Sequence, residues 1–425
     1  MIQSFNKIDK VNGVLKLQGD KSISHRALLI SSLANGKSII KNLSDGDDVK
    51  STIKCLNELG VETSLKDNIY TISGRGFKGY KKPARQLDAG NSGTTARLLC
   101  GILASQNFES VITGDVSLSS RPMQRIIDPL SQMGAIIDSE NGKLPLKIFP
   151  SEKLQTIKYH LPVSSAQVKS AILLAGLHLD EKTTVTESVQ TRNHTENLLG
   201  LSIVREGNNI LSSVSRNDYP VVKEYFIPGD ISSAMFFIVL ALLTNNSELI
   251  IKDISLNTTR IKCLSILKSM GGKIQIDERG VSNNEIFGDV FVKSGELSNV
   301  HINNEIIPLI IDEIPILTIA GIFAEGNFEL RGAAELRVKE SDRINSVCNN
   351  LKKLGLKVTE FEDGFSVSGE IKQISEPFDS FGDHRIAMAF AILSCLLQEG
   401  GKVDGFECVS VSNPDFMQQL KAVAD

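Results

Sequence analysis

The sequence predicts an α/β protein made of six similar units divided into two lobes of three, and three observations lead there. Polar or charged clusters run straight into apolar helical segments at Ser22, Ser92, Ser164, Ser232, Asp312 and Asp383, a recurrence of about 70 residues that marks a repeated unit. Helical segments such as 231–243 and 386–397 are apolar nearly all round, which places them inside a lobe with sheets outside them. Gly60, Gly134, Gly200, Gly271 and Gly355 then punctuate comparable positions, where a second helix of each unit should stop.

The second unit shows the pattern most clearly. A turn-rich lead at 87–93 precedes a helical segment at 94–104, and 108–113 reads as a strand. A second helix follows at 122–133, with Met123, Ile126, Ile127, Leu130 and Met133 near a 3.6-residue period, and a strand begins at 135–137. In the first unit the helix 24–33 ends at Asn35-Gly36, a strand runs through Ile39-Ile40, and the second helix is 49–59. Later second helices are 261–270 and 344–354. Parallel strands joined by a helix cross over right-handedly, so the first helices should stack with their N-termini pointing one way. The chain should pass between lobes at 17–20 and 227–230, where a strand-like stretch meets Gly-Asp before a helix.

Composition narrows the function. A chain of 425 residues, 41% apolar, has material for more than one core. The longest apolar run, 234–243, is far short of the ~20 residues of a membrane span, and Lys7, Asp9 and Lys10 break up any leader-like start. No membrane association and a cytoplasmic location are therefore expected. The six cysteines are scattered without metal-ligand spacing, so buried reduced thiols are expected and no metal. A formal charge of −4 without Trp disfavours nucleic acid as a partner. Recognition of anions must be local.

Helix starts supply that locality, because free N–H groups and the positive dipole end meet cationic side chains. In 19–26, Ser22 can cap the helix while Lys21 and Arg26 flank it; an ordinary cap with solvated neighbours is the bland alternative. Asn91, Ser92 and Gly93 open the next helix with small groups that allow close approach of a ligand, although Gly-rich starts are common. Arg121 directly precedes Pro122, an N1-type proline, where a cation opposes the dipole unless an external anion is present. Ser164, Ser165 and Gln167 begin the third unit, with Lys169 a turn later and Arg192 and His194 following; a surface His is the more frequent fate of a lone residue such as His194, and Arg192 is the better ligand candidate. In 337–343, a helix start would put Lys339 and Arg343 on one face, compensated either by an anion or internally by Glu340 and Asp342. His384 and Arg385 add a cation pair at the sixth start. Asp312 is either an N-cap or an acid/base group, and Glu340 is the other acid candidate.

Taken together, the segments Gly19-Asp20-Lys21-Ser22, Ser165-Ala166-Gln167-Val168-Lys169, Arg192-Asn193-His194-Thr195-Glu196 and Asn257-Thr258-Thr259-Arg260 closely resemble those of the EPSP synthase (3-phosphoshikimate 1-carboxyvinyltransferase) family, and within it the glyphosate-tolerant class. The resemblance covers nearly the whole chain. It implies two inside-out α/β domains, each of three βαβαββ repeats, with lobes 20–229 and 230–425, the segment 1–19 joining the latter, and an active site in the cleft between them. It implies transfer of the enolpyruvyl group of phosphoenolpyruvate to the 5-hydroxyl of shikimate 3-phosphate, in aromatic amino acid biosynthesis, by a monomer that needs no cofactor.

By matched motif, the resemblance assigns Ser22, Arg26, Ser164, Ser165, Gln167 and Arg192 to shikimate 3-phosphate, and Lys21, Gly93, Arg121, Arg343 and Arg385 to phosphoenolpyruvate, with Asn91 and His384 as further substrate contacts. Asp312 would take the hydroxyl proton and Glu340 would handle the methylene proton, with Lys21 or Lys339 assisting the departing phosphate. Two positions depart from the family pattern. Val411 stands where some members carry a Lys, and Leu98 where glyphosate-sensitive members have Pro after the Arg matching Arg97. Three rivals remain. The sister UDP-N-acetylglucosamine enolpyruvyl transferases usually carry a Cys before the Arg121-Pro122 position, but 114–120 contains none. A non-catalytic phospho-ligand binder could dispense with Asp312 or Glu340, and an RNA-processing enzyme of related architecture sits poorly with the acidic balance.

Overall fold

The computed structural model describes residues 1–372 and 376–424. Two compact units emerge: Gly19–Pro228 with Val281–Glu285, and Met1–Gln18 with Gly229–Gly280 and Ile286–Asp425. Here they are called the first and second unit. Each has its own apolar core, the first drawn from residues such as Leu28, Leu99 and Leu173, the second from Phe237, Ile319 and Phe390.

Six long apolar helices organise these cores: α1 (Lys21–Leu33), α2 (Gly93–Leu103) and α3 (Ala166–Gly176) in the first unit, α4 (Ile231–Leu243), α5 (Ile314–Phe323) and α6 (His384–Leu396) in the second. In α4 only Leu243 escapes full burial, and in α6 only Leu396. A helix this apolar on every side is stable in water only when neighbours cover it. In the second unit α4, α5 and α6 pack against one another. In the first, α2 packs on both α1 and α3, most closely at Gly101, where any Cβ would stand 2.1 Å from the Ala171 carbonyl oxygen.

Among the described residues each unit carries three small sheets. In the second repeat of the first unit, Leu87–Asp88 pairs parallel with Ser110–Thr113, which pairs antiparallel with Lys143–Phe149, which pairs antiparallel with Ile136–Glu140. Lys158–His160, Thr183–Glu187, Asn209–Val214 and Ile203–Glu206 repeat that order. The first repeat borrows its opening strand from the far end of the unit, since Glu224–Phe226 pairs parallel with Asn35–Lys41. The second unit is completed in the same way from the N-terminus: Asn12–Lys16 pairs parallel with Glu248–Ser255, and Gln3–Phe5 pairs with Gly401–Asp404. This is the mixed α/β fold of repeated βαβαββ units. The last repeat departs from it by ending in a 3₁₀ segment, Phe406–Val411, and a helix, Phe416–Val423.

Helix ends differ in detail from the sequence reading. Asp20, not Ser22, caps α1 by accepting from the Ile23 N–H at 2.9 Å. Ser165 rather than Ser164 caps α3, and Asp230 rather than Ser232 caps α4. Ser92 and Asp383, both read as helix starts, are the N-caps of α2 and α6. Asp312 is no cap: the N-cap of α5 is Glu313, without a side-chain cap bond. At α1, α3 and α4 two short polar residues lie within two positions of each other, and the one preceding the first helical φ/ψ takes the cap. Pro122 lies before the helix Gln124–Gln132 rather than at its first position, and Arg121 ends the short helix Val116–Ser120. Lys339 is extended and the helix Arg343–Lys353 begins after it, so Lys339 and Arg343 do not share a helical face. Gly60, Gly134, Gly200, Gly271 and Gly355 all take positive φ at second-helix ends, the left-handed geometry that lets orphan carbonyls find partners. Five of the cysteines are buried and none is disulfide-bonded.

Candidate active site

In the first unit the starts of α1, α2 and α3 are tied together through side chains. Lys21 Nζ lies 2.9 Å from Asp48 Oδ2, both largely buried. Arg26 reaches back to the Ser22 carbonyl at 3.0 Å and across to Thr195 Oγ1 at 2.8 Å and Ser170 Oγ at 2.9 Å. Burial pushes its pKa down to about 10, with Glu196 opposing and Arg192 reinforcing that shift. Arg192 Nη1 is 3.5 Å from Ser22 Oγ. Ser22, Arg26 and Arg192 therefore meet, one turn into α1.

The start of α2 holds a second group. Arg121 Nη2 donates to Asn91 Oδ1 at 3.0 Å, and Asn91 Nδ2 to Asp115 Oδ2 at 2.8 Å. A Cβ on Gly93 would stand 2.5 Å from Arg97 Nη1, so the glycine lets that guanidinium close on the helix end, and Arg121 Nη1 lies at contact distance, 3.5 Å, from the same point. Arg97 Nη1 donates to Gln167 Oε1 at 2.9 Å, and Gln167 Nε2 to Thr94 Oγ1 at 3.0 Å, which joins α2 to the start of α3. Ser164 and Ser165 stand half-buried there.

The second unit concentrates acids and arginines at the starts of α4, α5 and α6. Arg343, 1% exposed, donates to Asp312 Oδ1 at 3.1 Å, to Glu340 Oε2 at 2.6 Å and to Asp383 Oδ2 at 2.7 Å. Burial alone would lower its pKa, but Asp383, Glu340 and Asp312 outweigh that and raise it. Arg385 donates to the Asp312 carbonyl at 3.0 Å and stands 3.7 Å from Asp312 Oδ2 and 3.8 Å from Glu313 Oε1. His384 is buried beside it, and Lys339 is half-buried next to Glu340 in the chain. Of the two acids read as internal compensation, Glu340 meets Arg343, whereas Asp342 caps the helix and pairs with Arg337 at 2.8 Å.

Several pairings escaped the sequence reading. Asp48 holds Lys21, Asp383 holds Arg343, and Glu313 is wholly buried, accepting from the Ser232 hydroxyl with Arg260 Nη2 at 3.7 Å. Each lies beside, or opposite in space to, a residue that was read, and only the folded chain shows the pairing. The one usable signal was Arg260, already conspicuous as a cation closing the segment 257–260. Among the described residues, no group of three or more His, Cys, Asp or Glu is placed to hold a metal ion.

Fixed cations beside helix N-termini suit anions, and an acid paired with two of them suits proton transfer next to those anions. The family model for EPSP synthase (3-phosphoshikimate 1-carboxyvinyltransferase) matches residues 5–420. The chain belongs to the EPSP synthase family. A 3-phosphoshikimate 1-carboxyvinyltransferase of Petrotoga mobilis is 45% identical over 98% of both chains, and one of Salinibacter ruber is 42% identical over 100% of both. Among solved structures, EPSP synthase from Acinetobacter baumannii superimposes with a TM-score of 0.85 at 39% identity, covering 100% of this chain and 98% of its own. The enolpyruvyl transferase NikO from Streptomyces tendae, at 15% identity and a TM-score of 0.76 over 100% of this chain and 97% of its own, shares the fold. As an EPSP synthase family member the chain is a transferase, and its helix-start clusters belong to an enzyme.

Proposed function

We propose that the chain transfers the enolpyruvyl group of phosphoenolpyruvate to the 5-hydroxyl of shikimate 3-phosphate, releasing phosphate by addition and elimination. One observation carries the assignment of chemistry to residues: Asp312 is held by Arg343 at 3.1 Å and Arg385 at 3.7 Å, an acid sharing its cations with the place where an anionic substrate would bind. Ser22, Arg26, Ser164, Ser165, Gln167 and Arg192 hold shikimate 3-phosphate. Lys21, Gly93, Arg121, Arg343 and Arg385 hold phosphoenolpyruvate, with Asn91 and His384 supporting them. Asp312 takes the proton of the attacking hydroxyl, Glu340 handles the methylene proton, and Lys21 or Lys339 neutralises the departing phosphate. Both substrates are anions, so cations fixed before substrate arrives offset their mutual repulsion without reorganising.

The test is direct. Phosphate release from phosphoenolpyruvate should require shikimate 3-phosphate, and turnover only with UDP-N-acetylglucosamine would overturn the proposal. Membership of the glyphosate-tolerant class is part of the same proposal, supported by the four sequence segments and by Leu98, buried beside Arg97. Inhibition by glyphosate at the concentrations that stop a sensitive enzyme assayed in parallel would refute it. A monomeric, cytoplasmic enzyme completes the reading. Among the described residues no single helix is long and apolar enough to cross a membrane.

A further inference from the structure

The two segments 165–169 and 192–196 meet at their last residues. Lys169 Nζ lies 2.7 Å from Glu196 Oε1 and 2.8 Å from Glu187 Oε1, and all three side chains are at most 2% exposed. Burial by itself would lower the ammonium's pKa, but Glu196 and Glu187 outweigh it and raise it, so Lys169 stays charged. Glu187 ends the strand Thr183–Glu187, and Glu196 lies in the first turn of the helix His194–Leu199. The connection between them carries Arg192. One ammonium on α3 therefore clamps both ends of the Arg192 loop.

The clamp extends along both segments. Within the loop, Thr191 donates to Glu187 from its N–H at 3.2 Å and from its hydroxyl at 2.7 Å. Beside Glu196, Thr195 accepts from Arg26 Nε, and beside Lys169, Ser170 accepts from Arg26 Nη2; the two hydroxyls are 2.7 Å apart. Displacing Lys169 would release the loop that bears Arg192 and the hydroxyl pair that aims Arg26. A buried ion pair adds little net stability against an apolar alternative of equal volume, so fixing this register is the better reason for its presence.

We propose that Lys169 is a positioning residue for shikimate 3-phosphate, acting through Arg192 and Arg26 without touching the substrate. This rests on the assignment of those two arginines to shikimate 3-phosphate. Lys169→Met should raise KM for shikimate 3-phosphate roughly tenfold, a coupling of ordinary size for contacting residues, while kcat and KM for phosphoenolpyruvate stay within about twofold. Its effect should also be smaller in the Arg192→Ala background, because only Arg26 is then left for the clamp to aim. A merely structural role would instead lower the folded fraction and leave both KM values alone. If Lys169→Met does not accumulate folded, Lys169→Met/Glu187→Gln removes the charge imbalance, keeps Glu196 facing Arg26, and gives the same reading. An unchanged KM for shikimate 3-phosphate, equal rises for both substrates, or strict additivity would overturn the proposal. An Arg192→Ala variant with unaltered KM for shikimate 3-phosphate would overturn the site assignment beneath it, and the proposal with it.

Discussion

The Arg343 guanidinium donates through Nη1 to the Asp312 carboxylate at 3.1 Å, so the acid proposed as base is anchored on a cation that is itself 1% exposed. The same guanidinium holds Glu340, so both acids assigned to proton transfer hang from one fixed centre. Asp312→Asn keeps the shape and one acceptor oxygen for Arg343 but cannot take a proton. Turnover should fall by roughly 10²- to 10⁴-fold, the usual worth of a general base, while calorimetric binding of shikimate 3-phosphate stays within about threefold. Near-normal turnover would remove Asp312 from the mechanism.

Lys21 makes a comparable case in the first unit. Its ammonium sits 2.9 Å from Asp48 at the start of α1. Lys21→Met deletes the charge and leaves Asp48 facing the helix end, where substrate anions should bind. The specificity constant for phosphoenolpyruvate should drop at least about tenfold. Steady-state assays with unchanged KM and kcat would exclude Lys21 from the site.

Glu313 tests the buried network behind Asp312. It is wholly buried, accepts from Ser232, and faces Arg260 and Arg385 at 3.7 and 3.8 Å. Glu313→Gln keeps the volume but strips the charge, leaving two buried guanidiniums short of a counter-ion. Removing one member of a buried pair costs about 3–5 kcal/mol, and urea unfolding should show a loss of that order. A loss below about 1 kcal/mol would mean that Asp230, also 3.7 Å from Arg260, compensates for it.

These pairings also mark what the sequence could and could not disclose. The six helices were legible because burial on every side demands an unbroken apolar run, as at Ile231–Leu243, and their second-helix partners because glycine is the residue that tolerates the left-handed turn at Gly134 or Gly200. Cations such as Lys21, Arg343 and Arg385 were legible because each stands at a helix start beside a polar cluster. Their counter-ions were not: Asp48 lies 27 residues from Lys21, and Asp383 lies 40 from Arg343, separations that no local pattern encodes. Cap residues were misplaced where two short polar side chains lie close in the chain, as Asp20 and Ser22 do on either side of Lys21, since either can satisfy orphan N–H groups at the helix start.

Histidine burial should make the first unit acid-sensitive. His178 packs against the rings of Phe77 and Tyr219, and burial holds its pKa at about 4. Between pH 6.5 and about 4 the unfolded chain therefore binds a proton that the folded one does not, so stability falls as pH drops through that window. The depression corresponds to roughly 3 kcal/mol in full. His25, also held well below its usual value by burial and by Lys21 and Arg26, acts in the same direction. His178→Phe should flatten the slope of unfolding free energy against pH over this range. An identical slope would show that His178 does not titrate on unfolding.

Gly101 gives a prediction in which two effects oppose each other. Replacing a helical glycine by alanine ordinarily stabilises by up to about 1 kcal/mol through helix propensity. Here the new Cβ would stand 2.1 Å from the Ala171 oxygen, 2.9 Å from its carbonyl carbon and 3.0 Å from its Cα, all backbone atoms of α3. No side-chain rotation can relieve that contact, so α2 and α3 must separate, at the cost of about 1–3 kcal/mol typical of overpacking. Gly101→Ala should therefore destabilise on net in urea titrations. The separation would also strain the Arg97–Gln167 bond that joins the two helix starts, so KM for shikimate 3-phosphate should rise in the fraction that folds. A variant more stable than the parent would mean that propensity outweighs the contact and that the two helices can part freely.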